Sequence, residues 1–136
     1  MYDKILVPMA LDHGISPNTL EIAKALCNPG GEIVALHVFE IPGGSVSAYM
    51  GEKAVQESLN KSRTILEQKV SHLDGVTAKI VRGHASRKII DFAVENGVGC
   101  IVIGSHKPDL SDYFLGSTAA RVVRHAPCAV HVHRDS

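Results

Sequence analysis

Between a buried strand and a helix the chain runs Gly104-Ser105-His106-Lys107-Pro108-Asp109-Leu110-Ser111-Asp112-Tyr113-Phe114-Leu115-Gly116-Ser117-Thr118. These residue types in this order suit one kind of chemistry, the cradling of an anion. Gly104, Gly116 and Ser117 present backbone N–H groups without bulky side chains, Ser105, Ser117 and Thr118 add hydroxyls, and Lys107 adds a cation. If a helix starts at Ser117, its free N–H groups and positive dipole end point at the same place. A Gly-Ser pair alone is an ordinary turn and helix start. Its position in the fold decides between the two readings.

The elements that position the cradle follow from hydrophobic periodicity. Ile5-Leu6-Val7-Pro8-Met9, Ile33 to Phe39, Val76 to Val81, Cys100 to Ile103 and Cys128 to His133 are short apolar runs of the kind found in strands covered on both faces. Between them lie helical patterns. Ser16-Pro17 opens the first by N-cap and N1 proline, Leu20, Ala23 and Cys27 share its apolar stripe, and Asn28-Pro29-Gly30-Gly31 ends it. Val55, Leu59, Ser62, Leu66, Val70 and Leu73 mark a long second helix, which Asp74-Gly75 breaks. Ser86 is expected to cap a third carrying Ile89, Ile90, Ala93 and Val94, which stops at Asn96-Gly97. Ala119 to Arg124 continue the fourth.

Strict β-α alternation predicts a five-stranded parallel sheet with helices on both faces, in the order 3-2-1-4-5 or its relative 2-1-3-4-5. In the first order the switch point falls between strands one and four. The residues after Met9 and after Gly104 then face each other across a crevice, where such folds bind ligands.

Composition narrows the class. The 136 residues make a single domain, 1–136, with 45% hydrophobic and 21% charged residues and no formal net charge. No nucleic-acid or membrane partner is expected, and no apolar run reaches the roughly 18 residues of a membrane span. Cys27, Cys100 and Cys128 are odd in number and sit among apolar neighbours, so they read as thiols of a reducing compartment, the cytoplasm. Neither G-x-x-x-x-G-K-[ST] nor G-x-G-x-x-G occurs, which argues against a Walker-type or Rossmann site. His131 and His133 share a strand face without further metal ligands at suitable spacing, so no metal is expected. Ser105-His106 lacks an orienting acid, and no catalytic residue is assigned.

Four separated segments carry a resemblance: Lys4-Ile5-Leu6-Val7-Pro8, Ala35-Leu36-His37-Val38, Ile103-Gly104-Ser105-His106, and Leu115-Gly116-Ser117-Thr118 through Arg124-His125-Ala126-Pro127-Cys128-Ala129-Val130. In order and spacing they resemble the universal stress protein family, over essentially the whole chain. The resemblance implies an adenine nucleotide alpha-hydrolase-like fold, a homodimer through the last strand (Cys128 to His133), and in one branch regulatory ATP binding in the stress response without efficient turnover. ATP, or AMP or ADP, is then the ligand, with Mg accompanying ATP. Pro8, Met9, Ala10 and the Val38 backbone would border the adenosine, and Gly104, Ser105, Lys107, Gly116, Ser117 and Thr118 the phosphates.

Two positions depart from the nucleotide-binding pattern G-x-x-G, nine residues, G-[ST]. Lys107 stands where the middle glycine would be, with eight residues from there to Gly116. Ala10 occupies the family's aspartate position after strand one, with Asp12 nearby. A small single-domain sub-branch has the same shortened segment, and there Lys107 would supply charge in place of a backbone contact. The alternatives are a nucleotide-free dimeric interaction module of the same fold and a slow ATPase or phosphotransferase. Ile41 to Gly51, rich in glycine and serine, reads as a loop and a candidate lid, and His84 lies at the same sheet end.

Overall fold

The computed structural model describes residues 1–11, 17–40, 44–104 and 116–134, with the backbone alone for residues 17 and 44–50. Five strands, β1 (Tyr2–Pro8), β2 (Cys27–Phe39), β3 (Val76–Arg82), β4 (Cys100–Gly104) and β5 (Ala129–His133), alternate with α1 (Pro17–Leu26), α2 (Gly44–Val70), α3 (Ala85–Glu95) and α4 (Ser117–His125). All strand pairs are parallel and the order is β3-β2-β1-β4-β5. The first of the two expected orders is therefore the observed one.

Period-two alternation splits the inner strands between two cores. Ile5, Val7, Ile33, Ala35, Cys100 and Val102 face α1 and α2, where Leu20, Ala23, Leu66 and Val70 cover them. Leu6, Val34, Leu36, Ile101 and Ile103 face α3 and α4, where Ile89, Ala93, Ala119 and Val122 cover them. Two-sided burial is why these strands read as unbroken apolar runs. The edge strand β5 is less enclosed, with Ala129 and His131 exposed and Val130 and Val132 half-buried.

Three local expectations need correction. The strand β2 begins at Cys27, and Asn28-Pro29-Gly30-Gly31 lies within it as an irregularity: Tyr2 pairs with Cys27 and Lys4 already with Glu32. The extra residues are held by the Asn28 side chain, which donates to Asp3 and accepts from the N-terminal amine of Met1. Gly31 has no room for a side chain, since a Cβ would lie 2.7 Å from Cys27 Sγ and 2.8 Å from Asp3 O.

Second, residues 44–50 are helical, not a loop, and Gly51 (φ 80°, ψ 156°) interrupts α2. Seven residues bracketed by glycines are too few to show a helical period. Residues 41–43 of the candidate lid lie outside the described residues, as does the expected cap Ser16.

Third, Ser86 does not cap α3. His84 holds the N-cap position in extended conformation, and the Glu40 carboxylate, arriving from just beyond β2, accepts from Ala85 N–H at 3.0 Å. Ser86 sits inside the helix, buried, with its Oγ 3.2 Å from His84 Nδ1.

Candidate nucleotide site

The C-terminal ends of β1 and β4 do not stay together. They pair at Ile5 with Cys100 and Leu6 with Ile101, whereas β1 remains paired with β2 up to Pro8 with Leu36, and β4 with β5 up to Gly104 with His133. Past Leu6 and Ile101 the two central strands part, and an opening forms at the switch point.

One wall of that opening is Pro8, Met9 and Ala10. Met9 N–H donates to Leu36 O at 2.8 Å, and His37 Nδ1 lies 2.8 Å from Met9 O. Because the carbonyl only accepts, the imidazole carries its proton on Nδ1 and donates. Both backbone groups of Met9 are thereby tied to β2. Its side chain is buried in the core under α1, while Ala10 is exposed. Val38, two strands from β4, is buried against the α3 and α4 core and pairs with Val81.

The other wall is the end of β4 and the start of α4. Gly104 is exposed, and a Cβ there would meet nothing nearer than Thr19 Oγ1 at 4.0 Å. Gly116 takes the N-cap position (φ −53°, ψ 149°) with no capping side chain, and its carbonyl accepts from Ala120 N–H at 2.8 Å. The N–H groups of Ser117, Thr118 and Ala119 belong to the first helical turn and have no carbonyl within α4 to bond. Ser117 is exposed and Thr118 half-buried. All charged side chains on α4 are basic, Arg121, Arg124 and His125, the last two in the final turn, where they complement the dipole.

Thus Pro8, Met9, Ala10 and Gly104 flank one opening, and Gly116, Ser117 and Thr118 provide an uncapped helix start. Ser105, Lys107, Asp12 and His106 lie outside the described residues. Among the described residues no group of three or more His, Cys, Asp or Glu is placed to hold a metal ion. Cys27, Cys100 and Cys128 are free thiols, only Cys100 being fully buried. Burial pushes the Cys100 and Cys128 thiols up, away from the reactive thiolate. The sequence reading missed the contact between His84 and Arg121, which joins two helices, although both residue types were visible.

A model of the universal stress protein family matches residues 1–134. The chain belongs to the universal stress protein family. Universal stress protein G of Shigella flexneri is 30% identical over 144 residues, covering 98% of this chain and all of that protein. A solved structure of the hypothetical protein MJ0577 superposes with a TM-score of 0.71 at 28% identity, covering 100% of this stress protein and 98% of that chain. An Arabidopsis thaliana member of the family, solved with AMP bound, shares the fold (TM-score 0.61, 17% identity, 98% and 92% covered).

Proposed function

We propose that this universal stress protein binds an adenine nucleotide, ATP in the first instance, across the opening between β1 and β4, as a regulatory ligand and not as a substrate for rapid turnover. The observation that carries the reading is the parting of β1 from β4 beyond Leu6 and Ile101, beside a helix start without a capping side chain. Phosphates would take the N–H groups at Ser117 and Thr118, with Gly104, Gly116, Ser105 and Lys107 around them. The adenosine would lie toward Pro8, Met9, Ala10 and the Val38 backbone, and Mg would accompany a triphosphate. The AMP complex of the Arabidopsis relative supports the ligand class.

The same reading includes a cytoplasmic protein that dimerises through the exposed edge of β5, since an uncovered edge strand is a pairing template.

Mass spectrometry of gently purified, then denatured protein is expected to release an adenine nucleotide. Addition of ATP at 100 times its Kd should stabilise the fold by about 2.7 kcal/mol, a rise in Tm on the order of 10 °C. Neither retained nucleotide nor a thermal shift at millimolar ATP would end the reading.

A further inference from the structure

At the sheet end that bears the opening, α3 and α4 begin close together and a side-chain hydrogen bond links them: Arg121 Nη1 lies 3.3 Å from His84 Nε2. Arginine only donates, so His84 Nε2 accepts, and the ring is neutral with its proton on Nδ1, facing Ser86 Oγ at 3.2 Å. His84 is fixed in turn by its place at the N-cap of α3. A flexible arginine is thereby given a fixed direction.

That direction matters because of where Arg121 sits. It is four residues after Ser117, on the same face of α4, and both residues are exposed. Helical side chains lean toward the N-terminus of their helix, so the guanidinium covers the turn that starts at Ser117. Of its five N–H donors, His84 accepts from one nitrogen, and no other side chain among the described residues accepts from the rest. No carboxylate among the described residues pairs with Arg121. Glu40, the carboxylate that reaches the start of α3, is spent on Ala85 N–H.

We propose that Arg121, aimed by His84, binds the terminal phosphate of the nucleotide, so that the site prefers nucleoside di- and triphosphates to the monophosphate. The first phosphate is held by the N–H groups at the start of α4, and the next extends along the helix face into the guanidinium fork, which matches phosphate oxygens in pairs. Arg121 is a specificity-determining residue in this arrangement and His84 a positioning residue. The inference rests on the nucleotide-binding reading above.

Isothermal titration of the full chain with AMP, ADP and ATP tests it. The wild type is expected to bind ADP and ATP more tightly than AMP. Arg121→Met should weaken ADP and ATP about tenfold, the value of one charged contact, and AMP less than twofold. Since Arg121 is exposed, an unchanged melting temperature is expected and is checked alongside. His84→Ala should reduce ATP affinity in the same direction but less, and His84→Gln, whose amide oxygen also accepts from Arg121, should restore it.

Nucleotide binding that persists in R121M with no loss, or with equal loss for AMP and ATP, overturns the role of Arg121 and leaves the nucleotide reading standing. A wild type that binds AMP at least as tightly as ATP does the same. A wild type that binds none of the three overturns both.

Discussion

His37 shows how one residue serves both fold and site. It lies on β2, yet its ring reaches sideways to the carbonyl of Met9, the residue that follows β1. Replacing it with leucine keeps the bulk and leaves that carbonyl without its donor. His37→Leu is expected to cost about 1–2 kcal/mol by chemical denaturation, and to weaken nucleotide binding through the loosened Met9 wall. A second pair, Glu52 with Arg82 at 2.8 Å, is electrostatic and more exposed. The hydrogen bond and charge of Arg82 hold the Glu52 carboxyl below its ordinary range. A carboxylate favoured in this way helps the fold above its unfolded pKa, and the help fades as pH falls through the folded value. Glu52→Gln is expected to flatten the acid limb of the stability curve slightly and to leave stability at neutral pH almost unchanged, since solvent screens so exposed a pair. Residue types at the candidate site could be singled out because small residues leave backbone N–H groups accessible and serine and threonine add hydroxyls. The partners were not: nothing local to Arg121 announces His84, which stands 37 residues earlier in the chain.

At the scale of elements, the inner strands β1, β2 and β4 were readable because burial on both faces leaves no polar alternation to confuse them with loops. Element starts were harder. The start of α3 is capped by Glu40, 45 residues earlier in sequence, so the local serine at position 86 drew the expectation away from the real cap. Removing the carboxylate with Glu40→Ala should destabilise the protein by about 1 kcal/mol, the cost of a lost N-cap, seen as a lower denaturation midpoint with unchanged slope. In α2 the break at Gly51 occupies backbone space that essentially only glycine enters, although a Cβ would touch nothing within 4 Å. Strain without clash is thus the whole penalty for a side chain there.

For the whole molecule, the two cores divide the chain neatly: α1 and α2 serve one face of the sheet, α3 and α4 the other. The order β3-β2-β1-β4-β5 follows, since a right-handed crossover that changes face must also change direction along the sheet. Alternation narrowed the order to this one and 2-1-3-4-5, and the faces taken by the helices decide between them. The place where pairing between β1 and β4 stops was not legible, because it is a matter of register and twist that periodicity does not encode. The last strand carries the assembly prediction. Ala129 and His131 are exposed while Val130 and Val132 pack on the core, so Ala129→Glu with His131→Glu charges the edge without opening the interior. Light scattering should give a dimer for the wild type and a monomer for the double variant; equal masses would argue against pairing through β5.

The parting of β1 and β4 also accounts for a proline in the middle strand of a sheet, where that residue is normally excluded for want of a ladder donor. Successive N–H groups along a strand point to alternate sides. Met9 N–H points to β2, where it meets Leu36 O, so the nitrogen of Pro8 faces the β4 side. A donor there would have found its neighbour already gone, or would have drawn β4 back and zipped the opening shut. Having no N–H to offer, Pro8 leaves no donor orphaned at the rim and gives the two strands no reason to close.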